Sequence, residues 1–131
     1  MKIEHIGIAV MDLKQSIPLF EKLLNGPCYK TEDVESEKVR TAFFRAGESK
    51  IELLESMNPE GVIAKYIDKK GEGMHHIAFE VSDIRAEMAR LRSEGFTLLQ
   101  DEPKTGADNK WVCFVHPKDC NGVLIELCQE K

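Results

Sequence analysis

Two histidines and two glutamates stand out as residues able to do chemistry: His5, Glu52, His76 and Glu126. Glu52 lies between Ile51 and Leu53-Leu54, and Glu126 between Leu124-Ile125 and Leu127. An ionised carboxylate in an apolar strand is costly to bury without a partner. For one such Glu, an exposed strand face is the ordinary explanation. Two at matching places in the chain require another. The histidines behave alike, since His5 shares its strand face with Gly7 and Ala9, and His76 shares its own with Ala78. A face of small side chains leaves room for a ligand. Two neutral imidazoles and two carboxylates suit Mn2+, Fe2+, Co2+, Ni2+ or Zn2+. The carboxylates balance the cation's charge, and four protein ligands leave coordination positions open for Lewis-acid chemistry. His75 has no twin, because Glu4 occupies the matching place, and on an ideal strand it faces away from His76.

The matching places come from an internal repeat. His5-Ile-Gly-Ile-Ala-Val-Met-Asp-Leu13 parallels His76-Ile-Ala-Phe-Glu-Val-Ser-Asp-Ile84, an offset of 71 residues. Lys50-Ile-Glu-Leu-Leu-Glu55 parallels Leu124-Ile-Glu-Leu-Cys-Gln129, an offset of 74. Two matches in one order describe a module used twice. Residues 3–10 alternate with period two and predict a strand. Asp12 sits at a helix N-cap, and Leu13, Ile17, Phe20, Leu23 and Leu24 predict a helix closed by Asn25-Gly26, with Pro18 as a defect that kinks it or moves its start. Strands follow at 28–33, 38–46 and 50–55. The second copy predicts a strand at 74–81, Asp83 as N-cap, a helix to Glu94, and strands near 96–100, 110–116 and 122–129. Between the copies, Asn58 and Pro59 open a linker helix with an apolar stripe of Val62, Ile63, Tyr66 and Ile67. Lys104–Lys110 reads as a polar loop. The fold class is α+β: two tandem βαβββ modules forming a curved mixed sheet around a metal-binding cleft. Module 1 covers about 1–57, the linker helix about 58–71 and module 2 about 72–131, within a single domain 1–131.

Composition narrows the function classes. The net charge of −5, with 18 Lys and Arg scattered among 23 Asp and Glu, argues against nucleic acid, which needs a basic stripe. No apolar run approaches the roughly 20 residues of a membrane span. The N-terminal MKIEHIGIAV lacks the layout of a signal peptide, so the expected location is cytoplasmic. Cys28, Cys113, Cys120 and Cys128 form no CxxC pair and read as free thiols, with Cys113 and Cys128 as strand core.

A doubled βαβββ unit with one His and one Glu per half resembles the vicinal oxygen chelate superfamily over essentially the whole chain. Three stretches resemble its methylmalonyl-CoA epimerases: Ile63–Ile77 with its His75-His76 pair, Asp101–Ala107, and His116-Pro-Lys-Asp-Cys-Asn-Gly-Val-Leu-Ile-Glu-Leu127. The resemblance implies an isomerase that interconverts the epimers of an acyl-CoA by removing and returning its α-proton through an enolate. It implies metal ligands His5, Glu52, His76 and Glu126, with Glu126 and Glu52 as catalytic residues. The implied cofactor is one divalent cation, Co2+ (cobalt) favoured, with Mn2+, Ni2+ or Zn2+ as alternatives. The implied partners are the small-molecule acyl-CoA and a second copy of the chain in a homodimer. An acidic residue proposed as the opposing base in one branch falls near Thr41, which cannot serve, so Glu52, Glu37 or a water on the metal would take that part. Lys104, Lys118 and His116 are candidates for substrate contact near the cleft mouth, with Lys110 as a further basic residue there. The rival enzyme is glyoxalase I, whose ligands follow the same His/Glu/His/Glu pattern. A metal-free binding protein on this fold is the rival of another class, and the full ligand set speaks against it. The second Glu argues against an extradiol dioxygenase.

Overall fold

The computed structural model describes residues Met1–Lys131. Its contacts divide into two compact units, His5–His75 and Met1–Glu4 with His76–Lys131.

The first βαβββ run, which lies in the His5–His75 unit apart from the opening residues of its first strand, comprises β1 Lys2–Ala9, α1 Leu13–Leu24, β2 Lys30–Val34, β3 Val39–Ala46 and β4 Ser49–Ser56. Asp12 opens α1, its side chain accepting the Lys14 N–H at 2.9 Å, and Asn25 closes it in the left-handed region. The helix runs unbroken through Pro18. Pro18 is exposed, so water can serve the Lys14 carbonyl that proline leaves without a donor. β1 pairs parallel with β4, and β4–β3 and β3–β2 pair antiparallel. One face of these strands packs on α1: Val10, Leu13, Ala42, Phe44 and Leu53 are buried together, with Ile17, Phe20 and Ile51 against them.

The second run repeats the plan, lying in the other unit from His76 on: β5 Gly73–Glu80, α3 Ile84–Ser93, β6 Lys104–Gly106, β7 Lys110–Val115 and β8 Ile125–Glu130. β5 pairs parallel with β8, and β8–β7 and β7–β6 pair antiparallel. Val81, Ile84, Met88, Leu91, Cys113, Val115 and Leu127 form the core under α3. In both units, therefore, odd and even residues of each strand divide between a helix-facing core and the opposite face.

Three expectations need correction. The strand near 96–100 is reduced to one bridge, Leu98 to Val115, and the first strand after the helix is instead β6, in the stretch read as a loop. Leu98 packs into the core and Leu99 N–H bonds the Phe114 carbonyl, but the chain then bends at Asp101-Glu102, and Pro103 offers no ladder donor. The linker helix, α2 Val62–Lys70, starts at Gly61 and not at Asn58. Asn58 turns the chain instead, its side chain accepting the Glu60 N–H at 3.1 Å, and Val62 is exposed, so the buried side of α2 centres on Ile63. The last strand starts at Ile125 and not at 122, because Asn121 and Gly122 adopt positive φ in the preceding turn. No helix is long and apolar enough to cross a membrane.

Candidate functional site

In the first unit, the register sets Gly7 opposite Glu52. His5 lies two residues before Gly7, so His5 and Glu52 share the face away from α1. Their side chains meet at 3.4 Å between Nε2 and Oε1, and both residues are buried, at 6% and 3% exposure. In the second unit, Ala78 stands opposite Glu126, and His76 lies two residues before Ala78. His76 Nε2 is 3.1 Å from Glu126 Oε1, again with both residues buried. The two halves therefore build one arrangement twice: a His and a Glu across a parallel strand pair, with a small residue between them. A carboxylate held out of water needs positive charge or hydrogen bonds nearby. An imidazole nitrogen beside a carboxylate oxygen is also the donor set that borderline divalent cations take. Each pair thus offers two donors of that kind.

Strand pairing adds an aromatic wall to each pair. Phe43 stands opposite Glu52, and Phe114 opposite Glu126. The Phe114 ring meets the His76 imidazole edge to face, with centroids 6.0 Å apart and planes at 84°. Ala78, Val112 and Cys128 are buried around Phe114. A lysine ammonium lies over each phenylalanine, Lys30 at 5.5 Å from Phe43 and Lys104 at 5.7 Å from Phe114. On the first module's wall, Tyr29 packs on Phe43 at 6.2 Å and Arg45 stacks on Tyr29 at 4.3 Å. The phenylalanines escaped notice in the sequence, yet Phe43 and Phe114 share the 71-residue offset of the His repeat.

The remaining candidates scatter. His116 follows β7 and accepts the Lys118 N–H on Nδ1 at 3.0 Å, so it caps a turn. Lys118 is exposed on that turn, and His75 packs edge-on against Tyr66 at 4.8 Å. Lys110, expected on the surface, is 6% exposed, with Nζ 3.3 Å from Glu130. Its place two residues before Val112 puts it on the Phe114 face. Thr41 is buried and donates its hydroxyl to the Glu32 carbonyl at 3.0 Å. Glu4 is also buried. Burial, reinforced by the charges of Glu126 and Glu4, pushes the Cys128 thiol far above its ordinary range.

The family model of the glyoxalase/bleomycin resistance protein/dioxygenase superfamily matches residues 4–114. An ethylmalonyl-CoA/methylmalonyl-CoA epimerase of Cereibacter sphaeroides is 38% identical, with 98% of this chain and 97% of that protein aligned. The human mitochondrial methylmalonyl-CoA epimerase is 36% identical over 98% of this chain and 73% of its own length. The structure of a Streptomyces coelicolor methylmalonyl-CoA epimerase variant with 2-nitronate-propionyl-CoA superposes with a TM-score of 0.95, at 37% identity, covering 99% of this chain and 97% of that one. A lactoylglutathione lyase of Escherichia coli is more distant, 25% identical over the full chain and 94% of that protein.

Proposed function

The chain belongs to the glyoxalase/bleomycin resistance protein/dioxygenase superfamily and within it to the methylmalonyl-CoA epimerases, and on that premise we infer that it interconverts the two epimers of methylmalonyl-CoA. The observation that carries the reading is the doubled, buried His–Glu pair, one in each module. We assign His5, Glu52, His76 and Glu126 as the ligands of one divalent cation, with Co2+ favoured over Mn2+, Ni2+ or Zn2+. What supports this is the chemistry of the donor set and the equivalence of the two pairs. When bound, the cation supplies Lewis-acid stabilisation of the charge that develops on the thioester oxygen.

The chain's own residues handle the proton. The substrate α-carbon sits between a thioester and a carboxylate, and losing its proton gives an enolate. Glu126 takes that proton from one face of the α-carbon. Glu52, its repeat twin, starts the turn protonated and delivers that proton to the other face. The product is the opposite epimer, and the reverse turn restores both carboxyl groups. Thr41 takes no part, since its hydroxyl proton is committed to the Glu32 carbonyl. The walls of Phe43 and Phe114 keep water off the two carboxylates, which strengthens electrostatic interactions there.

The proposal includes a homodimer and a cytoplasmic setting, the latter in keeping with four free cysteines. The test is incubation of the metal-loaded protein with methylmalonyl-CoA in D2O. The reading predicts rapid deuterium incorporation at the α-carbon and no turnover of the methylglyoxal–glutathione adduct. Efficient turnover of the adduct with methylmalonyl-CoA left untouched would make the chain a glyoxalase.

A further inference from the structure

We propose that Lys104 is a specificity-determining residue whose ammonium group receives the free carboxylate of the acyl group, so that the site selects 2-carboxyacyl thioesters over plain acyl thioesters. This rests on the epimerase reading above. It goes further by naming the group that distinguishes the substrate class.

The placement of Lys104 follows from strand pairing inside the second unit. Lys104 stands opposite Val112 and Gly106 opposite Lys110, which puts Lys104 on the face of Val112, Phe114 and Glu126. Gly106 lets β6 press close, for a Cβ there would meet Val112 Cγ1 at 2.8 Å. The half-buried Lys104 then reaches over the Phe114 ring, which itself stands edge-on to His76 and opposite Glu126. One aromatic ring therefore links the ammonium to the proposed proton carrier. The other two lysines near this face are placed differently: Lys110 is buried beside Glu130, and Lys118 lies exposed on a turn.

The chemistry gives such an ammonium a task. Removing the α-proton of a malonyl-type thioester builds negative charge next to a carboxylate that is already ionised. A cation held beside that carboxylate offsets the repulsion, and the benefit grows as the enolate forms. A thioester without the carboxylate gains nothing from it. The ring beneath Lys104 attracts the ammonium and limits its rotamers.

The experiment measures binding separately from turnover. Calorimetric titration of the cobalt-loaded protein compares methylmalonyl-CoA with propionyl-CoA, which differ only in the carboxylate. Hydrogen bonds to charged groups imply a preference for methylmalonyl-CoA of roughly 10- to 100-fold in the wild type. Lys104→Met should erase it by weakening methylmalonyl-CoA alone, with propionyl-CoA unchanged within about twofold, while Lys104→Arg should keep most of it. Thermal unfolding of each variant confirms that the fold is intact. A Lys104→Met protein that keeps the wild-type preference would overturn the proposal. Equal weakening of both thioesters would overturn it too, because Lys104 would then serve the shared coenzyme A part or the fold. If the wild type fails to exchange the α-proton at all, the epimerase reading fails, and that result is separate from the binding preference.

Discussion

Gly106→Ala should destabilise the protein through a single steric contact. Gly106 has φ −114°, which any residue adopts, so the demand is for space and not for backbone freedom. An added Cβ would sit 2.8 Å from Val112 Cγ1 and 3.0 Å from Cγ2. Val112 cannot easily withdraw. It is β-branched, 4% exposed, and packed with Ala78 and Cys128. Overpacking of this kind costs about 1–3 kcal/mol. At about 4 °C per kcal/mol, the expected fall in Tm is about 4–12 °C. Val112→Ala alone loses about 1.6 kcal/mol from two buried carbons, plus a cavity cost. It also removes both clashing methyl groups and leaves the Val112 Cβ at 3.5 Å, an ordinary contact. The double variant should therefore be more stable than the sum of the two changes by about 1–3 kcal/mol. Urea and thermal unfolding of the four proteins give the cycle. A Gly106→Ala protein within about 0.5 kcal/mol of the wild type, or strictly additive changes, would refute the argument.

Other outcomes follow from the same structure. The wild type should bind about one divalent ion per chain, and His76→Ala should lose it by elemental analysis, because one of four ligands is gone. Cys113 and Cys128 should resist thiol reagents at pH 8 until the chain is unfolded, since burial raises both thiols. The sign is set by the protons: above the ordinary thiol value of 9.0 the unfolded chain releases a proton that the native Cys128 keeps. Stability should thus be flat in this respect below pH 9 and fall above it by up to about 1.4 kcal/mol per pH unit per thiol, a slope that Cys128→Val should reduce. Light scattering should give a mass near twice 14.9 kDa, and a clean monomer at micromolar concentration would contradict the proposed dimer.

The repeat carried most of what could be read from the residues alone. His5, Glu52, His76 and Glu126 were visible because strand alternation and a common offset act together, and neither needs tertiary information. The two His–Glu contacts follow from the parallel pairing of β1 with β4 and of β5 with β8. β6 was illegible for a physical reason. A three-residue edge strand draws its stability from Lys110–Val112 and from the close approach at Gly106, not from its own propensity. The 96–100 stretch misled in the opposite sense, since Leu98 is apolar because it fills the α3 core. Phe43 and Phe114 sat unnoticed beside Phe44 and Val115, which point into the cores. Only the register with Glu52 and Glu126 shows which neighbour faces the site. The burial of Lys110 could not be read at all, because it depends on Glu130 standing opposite.

The most direct test of the central claim is α-deuterium exchange by Glu126→Gln, with its cation content measured in the same preparation. Glutamine keeps the shape and a ligating oxygen but cannot accept the α-proton. Loss of a positioned general base costs roughly 10²–10⁴-fold in rate. The variant should retain cation and lose exchange with methylmalonyl-CoA by that factor. Exchange at the wild-type rate would contradict it, leaving Glu126 a structural role and moving the base to Glu52 or Glu37.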